Sequence, residues 1–298
     1  MATTETVSIQ DVELHADSLD VSRAAAMYQE HGCLVVRGLM RPYVDDIARD
    51  IEASVAGAID LLDQAVKVPA GWNTPDGTLW LPAPEGFDRD KQIMVLGFSY
   101  LSSAAFFRSG WDEKLLDVVE AILGPDLEMF GAGQCLYKEP VGGHPKLLHQ
   151  DGAYFEHRYE GPVATLNYVV PTNEKNGALH VVPGSHKLGM LKHVDTFSHL
   201  GLDPNDWPWE KALPICGEPG DAIFFHVKTI HGSKPNWSDG PRPVFIHRYR
   251  AANDYEVISA DSAAGREEAE KHKDEAKKAN QLGFMVRGRR HYEPERRT

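Results

Sequence analysis

Apolar residues recur at helical spacing in the first third of the chain and at strand spacing in the middle. Residues 20–31 carry Ala24, Ala26, Met27 and Tyr28 on one stripe and stop at Gly32, which predicts a helix with a glycine stop. Cys33-Leu34-Val35-Val36 then predicts a buried strand. From Pro42, Val44, Ile47, Ile51, Val55, Ile59 and Leu62 predict a second amphipathic helix that buttresses a sheet. Residues 69–88, rich in Pro, Gly and Trp without a clear period, read as a long loop. A third helix is expected from Glu113 to Ile122, ended by Gly124-Pro125.

From Leu127 the texture becomes short β-type runs separated by turn residues: 134–138, 164–170, 179–182, 222–226 and 244–249. Regular short strands with Gly/Pro punctuation predict an antiparallel sandwich or barrel. The interval 188–214, with Trp207-Pro208-Trp209, reads as an insertion. Together with Trp72 and Trp80 it could form an apolar lid or simply pack. Residues 262–280 predict a helix with i,i+4 charge pairs. The arginines at 287, 289, 290, 296 and 297 read as a solvated basic tail. No repeat breaks the chain, so one domain over 1–298 is expected: helical support to about 126, a barrel core over about 127–252, then a helix and tail over about 253–298.

Composition narrows the function classes. A hydrophobic content of 42% supports a sizeable core, and no apolar run is long enough to span a membrane. No signal peptide pattern opens the chain. Cys33, Cys135 and Cys216 are far apart and form no CxxC pair, which fits reduced thiols and a cytoplasmic enzyme. A net charge of −13 argues against nucleic-acid binding. It also disfavours a polyanionic substrate unless local basic residues offset it.

Candidate chemistry centres on His149, Asp151 and His231. Two imidazoles and one carboxylate are the donors of the facial triad that holds non-haem Fe(II) with positions open for substrate and O₂. The spacing alone is weak, because His-x-Asp occurs four times, at residues 15/17, 149/151, 193/195 and 272/274. Roughly one match is expected from composition. Only 149/151 follows an expected strand, where i and i+2 share a face and Gln150 points away. Arg242, eleven positions after His231 and flanked by Pro241 and Pro243, offers a guanidinium fork to a carboxylate such as that of 2-oxoglutarate. Ser233 shares the face of His231 and could donate to the same carboxylate. The further histidines at 144, 157, 180, 186, 226 and 247 read as structural. No HExxH, Walker loop, Rossmann fingerprint or G-x-S-x-G elbow competes.

Three blocks then carry a resemblance. They are Lys138-Glu139-Pro140 with Gly143 through Asp151, Asn176 through His186, and Pro219 through Asn236 with Arg242 beyond. In order and spacing they are similar to the phytanoyl-CoA dioxygenase family of Fe(II)/2-oxoglutarate oxygenases. The resemblance implies a mainly β fold with flanking helices, a double-stranded β-helix (jelly roll, cupin-like), with iron on His149, Asp151 and His231. It implies 2-oxoglutarate held by Arg242 and Ser233, with Gln134 and Asn167 as further contacts. An upstream lysine of some members has no counterpart, since Met94 fits that register better than Lys91. Asp at 151 implies hydroxylation, not the halogenation of variants with Gly or Ala there. The implied enzyme is a monomer or homodimer that uses O₂ to hydroxylate an aliphatic C–H of a small or medium-sized metabolite, with release of succinate and CO₂. A metal-binding jelly roll without turnover and a non-redox metalloenzyme remain as rivals.

Overall fold

The computed structural model describes residues 7–155, 157–159, 161–196, 200–254 and 282–290. Its centre is set by strands that are buried on both faces. In Cys33–Arg37, Leu34 and Val36 point towards the helices, while Cys33 and Val35 point the other way. Ala222–His226 and Arg242–Ala251 repeat this alternation: Phe224, Phe245 and Tyr249 face the helices, and Ile223, Phe225, Val244 and Ile246 face inward. A period of two with both faces apolar is what a sheet sandwiched between layers requires.

The inward residues meet Leu179, Val181 and Ile215, which belong to a second sheet. That four-stranded sheet runs Leu213–Ile215, Leu179–Val181, His231–Ser233, Lys146–His149. The larger sheet pairs Cys33–Arg37 with Ala222–His226, then Val163–Tyr168, Arg242–Ala251, Gln134–Lys138 and Lys91–Leu96. The fold is a jelly roll, as expected, with its cavity between the two sheets.

Among the described residues, four α-helices pad the outer face: α1 (Val21–His31), α2 (Arg41–Asp60), α3 (Ala104–Ser109) and α4 (Glu113–Leu123). Asp20 caps α1 by accepting the Arg23 N–H at 3.0 Å, and Gly32 ends it at φ 68°. A Cβ on Gly32 would also sit 2.2 Å from His186 Nδ1, so packing as well as conformation demands glycine there. In α2, Val44, Ile47 and Ile51 are buried as expected, whereas Ile59 lies beyond the stripe and is exposed.

Three expectations change. Residues 69–88 are not one long loop. Gly71–Asn73 and Leu79–Pro82 extend the large sheet beyond Lys91–Leu96, with Trp72 opposite Trp80. The aromatic pair supplies the cross-strand contact that Pro and Gly masked in the sequence. Trp80 is wholly buried and donates to Thr74 Oγ1 at 3.0 Å, so it is core and not lid. The basic cluster is not simply a solvated tail either: Phe284–Arg287 pairs with Leu127–Met129, and Arg287 meets Glu113, Asp117 and Glu120. The helix expected at 262–280 lies outside the described residues, as do Arg296 and Arg297. Among the described residues no helix is long and apolar enough to cross a membrane.

Candidate metal centre and co-substrate pocket

His149 is the last residue of its strand, and His231 is the first of the neighbouring one; the two are register partners. Asp151 is not on the strand. It opens a short 3₁₀ turn, Asp151–Ala153, which swings the carboxylate back under the two rings. The shared face expected from i,i+2 spacing is thus reached by a turn, with Gly152 N–H anchored on the Val227 carbonyl at 2.9 Å. Asp151 Oδ1 stands 3.6 Å from Nε2 of each histidine, and one donor atom from each of the three residues lies within 4.8 Å of the others. Among the described residues no other group of His, Cys, Asp and Glu converges this way.

The imidazoles are oriented by their other nitrogens. His149 Nδ1 faces the Leu147 carbonyl at 2.8 Å and His231 Nδ1 faces the Thr229 carbonyl at 2.9 Å. A carbonyl only accepts, so Nδ1 carries the proton and Nε2 presents a lone pair to the centre. Burial, with the neighbouring His149, pushes the His231 imidazole down to about 4. Burial alone would raise the Asp151 carboxyl, but the neighbouring His149, His231 and Arg248 side chains more than offset it and hold it well below the usual carboxylate range. Two imidazoles that turn Nε2 to the centre and an anionic carboxylate form a donor set that suits Fe(II).

Gln150 does point away. Its side chain donates to the Gly189 carbonyl at 2.8 Å and the Lys228 carbonyl at 2.7 Å and accepts from Leu191 N–H at 2.8 Å. Its own N–H donates to His193 Nε2 at 3.0 Å. The segment from Gly189 to His193 therefore braces the metal strands from behind. Leu202 and Ala212 pack on Leu148 and Ile230, with Trp207 and Trp209 beside them. Neither tryptophan lines the cavity, so the lid reading fails for them as it does for Trp72 and Trp80.

A cavity of about 810 Å³ opens at the triad. Arg242, Ser233 and Gln134 line it, as does Met94, the register counterpart of the upstream lysine of some family members. Lys91 instead pairs with Asp90 and lies over Trp72. Arg242 is buried, donates one N–H to the Gly177 carbonyl at 2.8 Å, and leaves its Nε without a partner. Burial pushes its pKa down to about 10, still cationic at neutral pH. No carboxylate of the described residues lies within 4 Å of it, so a buried guanidinium waits for an anion.

Asn167 is a correction. On Val163–Tyr168 the inward residues are Ala164, Leu166 and Tyr168, which puts Asn167 on the opposite face. Its amide donates to the Thr165 and Phe245 carbonyls, and Leu166 lines the cavity instead. A one-residue offset on a strand reverses the face.

Two cationic residues escaped the sequence reading. Arg248 follows Arg242 by six positions on one strand, so both face inward; that even spacing was the available signal. Its Nη2 donates to Gln134 Oε1 at 3.0 Å and lies 3.8 Å from Asp151 Oδ2, and its guanidinium lies over Phe155. Lys146, opposite Ser233 across the strand pair, lines the same cavity.

Comparison with known proteins agrees with this architecture. Residues 28–244 match the phytanoyl-CoA dioxygenase (PhyH) family. The peroxisomal phytanoyl-CoA dioxygenase of Rattus norvegicus is 27% identical over 246 residues, 78% of this chain and 68% of that protein. A probable alpha-ketoglutarate-dependent hypophosphite dioxygenase of Stutzerimonas stutzeri is 31% identical over 156 residues, 49% of this chain and about half (53%) of that protein's length. Among solved structures, the non-heme alpha ketoglutarate dependent carbocyclase SnoK from nogalamycin biosynthesis superposes with a TM-score of 0.61 at 17% identity, covering 93% of this chain and 97% of that one. The family match covers well over half of the sequence and includes all three triad residues. The chain belongs to the phytanoyl-CoA dioxygenase family, and with it to the iron- and 2-oxoglutarate-dependent dioxygenases.

Proposed function

We propose that this chain hydroxylates an aliphatic C–H of a small or medium-sized metabolite, converting 2-oxoglutarate and O₂ to succinate and CO₂. The observation that carries the reading is the pairing of a His149–Asp151–His231 donor set with a buried Arg242 that has no carboxylate partner in the same cavity. A protein that only stored a metal would gain nothing from a desolvated guanidinium beyond it.

In this reading His149 and His231 ligate through Nε2 and Asp151 through one carboxylate oxygen. Arg242 and Ser233 take the distal carboxylate of 2-oxoglutarate. When bound, iron and 2-oxoglutarate supply the reduction of O₂, one oxygen atom going to succinate and the other to the substrate. The chain's own part is to orient and to exclude side reactions. Apolar Leu136, Leu166, Phe225 and Ile246 shield the space around the triad from water. Asp151 fills the third ligand position, which supports hydroxylation over halogen transfer.

Structural neighbours include a carbocyclase and an epimerase, so the product must be read directly. The test is incubation of iron-loaded protein with 2-oxoglutarate, isotopically labelled O₂ and a metabolite library. Succinate release that stops in His149→Ala or Asp151→Ala, with label in the product, is expected. An unlabelled, cyclised or isomerised product would overturn hydroxylation. Iron-loaded protein that never consumes 2-oxoglutarate would overturn the wider reading.

A further inference from the structure

The cavity carries more positive charge than the proposed metal and co-substrate can use. Its charged lining consists of Lys138, Lys146, Arg242 and Arg248 against Asp76 and Asp151, in a protein whose net charge is −13. On the reading above, the formal charges of Fe(II), the Asp151 carboxylate, the 2-oxoglutarate dianion and Arg242 cancel. Lys138 is absorbed by the structure, since its ammonium donates to the carbonyls of His144, Ser233 and Lys234. Asp76 accepts the Thr78 hydroxyl and forms no ion pair with Arg248 or Lys146 within 4 Å. Arg248 has Asp151 within 4 Å, but on this reading that charge is taken up by the iron, so Arg248 and Lys146 are left over. Cations that line a cavity without a matching anion are costly unless a ligand supplies one.

Position decides which ligand. Arg242 and Arg248 face inward on one strand, six residues and roughly 20 Å apart along it at about 3.3 Å per residue. Arg242 anchors the end far from the triad, whereas Arg248 stands beside Asp151. Its Nη2 is directed at Gln134 and Asp151, and its Nε has no partner. Arg248 itself is one of the residues that line the cavity. Its guanidinium lies over Phe155, and Phe98 and Leu101 are further apolar residues of the cavity wall.

We infer that Arg248, with Lys146 adding to the local field, receives an anionic group of the substrate, so that this enzyme acts on amphiphilic organic anions. The inference rests on the iron and 2-oxoglutarate placement proposed above. A carboxylate or a phosphate ester offers the required oxygens, and its hydrocarbon part lies against the apolar wall. Gln134, bonded to Arg248 through Oε1, is then a positioning residue for that guanidinium and not a direct co-substrate contact.

The test uses the full chain loaded with Mn(II) and the inert co-substrate analogue N-oxalylglycine, and reads binding by calorimetry. Decanoate and phenylacetate are each compared with their amides, and octyl phosphate with octanol. A charge-assisted contact predicts that at least one anion binds about tenfold or more tightly than its neutral twin. The paired sets show whether carboxylate or phosphate is preferred. Arg248→Gln removes the preference and leaves 2-oxoglutarate affinity within about twofold, while Arg248→Lys retains part of the preference and so separates charge from folding. The inference is overturned if no anion outbinds its neutral twin, or if the preference survives Arg248→Gln. A comparable fall in 2-oxoglutarate affinity in that variant also overturns it, by making Arg248 a co-substrate contact. The complex does not turn over, so the outcome is independent of whether the product is hydroxylated.

Discussion

His193 Nε2 accepts the backbone N–H of Gln150 at 3.0 Å. The histidine of one discarded His-x-Asp pair thus holds the peptide that links His149 to Asp151. Its Nδ1 faces the Leu191 carbonyl at 2.9 Å, which fixes the tautomer that can accept. Burial lowers its pKa, so the ring stays neutral and the acceptor is kept at neutral pH. His193→Phe fills the space but strands a buried N–H. Metal affinity is expected to fall roughly tenfold, in the range seen when support around ligands is removed. Mn(II) titration of the variant checks this; unchanged affinity would show that the Gln150 side-chain bonds suffice.

Arg242 is expected to govern co-substrate binding and leave the metal alone. Removing a buried charged donor pair costs roughly 1.5–3 kcal/mol per charged hydrogen bond, or about tenfold to a hundredfold in affinity. Arg242→Met should therefore raise the 2-oxoglutarate dissociation constant by at least that factor with Mn(II) affinity unchanged. Arg242→Lys should restore little, because an ammonium cannot present a planar fork while Gly177 still requires a donor. Calorimetry on metal-loaded protein separates the two effects.

Lys146 gives the cavity a pH dependence. Burial pushes its pKa down to about 8, while the Asp151 charge pulls the other way. An anion in the cavity favours the charged lysine, so affinity for it is full below about pH 8 and falls as pH rises through that value. Binding of N-oxalylglycine or of a substrate anion to the wild type should weaken between pH 7 and pH 9, by roughly fivefold if the coupling is worth about one pKa unit. In Lys146→Met the curve should be flat and lower at pH 7. A wild-type curve flat across this range would show that Lys146 does not sense the ligand.

Gly232 separates the metal ligand His231 from Ser233, and a side chain there would strike the neighbouring strand. An added Cβ would lie 2.7 Å from the Lys146 carbonyl and 3.0 Å from two backbone atoms of Leu147 and Leu148. Backbone cannot rotate aside as a side chain can, so Gly232→Ala must spread the two strands that carry both histidines. A loss of roughly 1–3 kcal/mol of stability, as for overpacking, is expected together with weaker metal binding. Urea unfolding and Mn(II) titration report the two; a variant as stable as wild type would mean the strands part freely.

The jelly roll was legible because short β-type runs such as 222–226 and 244–249 are separated by Gly/Pro turns in the sequence itself. The triad was legible from the distances between blocks. What escaped depends on faces and turns. Asn167 lies one residue off the inward register, and nothing in a run as apolar as Val163–Tyr168 marks which parity faces the cavity. Asp151 reaches the centre through a 3₁₀ turn that a strand rule does not describe. Trp72 and Trp80 form a cross-strand pair inside a Pro/Gly-rich stretch, where composition outweighs pattern. Arg248 could have been found from its even spacing to Arg242, but its partner Gln134 comes from a strand more than a hundred residues earlier.

Glu128 is wholly buried and shared between two arginines, Arg250 at 2.6 Å and Arg290, with the Gly283 N–H at 2.9 Å on its other oxygen. Burial alone would raise its carboxyl, but Arg290 and Arg250 more than offset that, so the folded-state pKa lies below the ordinary carboxylate value. A depressed pKa stabilises the fold above the ordinary carboxylate range, and that contribution is lost as pH falls through the folded value. Glu128→Gln takes the buried carboxylate charge away from the Arg250 pair and should cost about 3–5 kcal/mol. Deleting residues 255–298 removes Arg290 and the strand Phe284–Arg287 but keeps the Arg250 pair, so a smaller loss is expected. It should come with a reduced denaturant slope, since less surface is buried. Urea unfolding of both variants at pH 7 orders the two effects; a deletion costlier than Glu128→Gln would place the main contribution in the strand and not in the ion cluster.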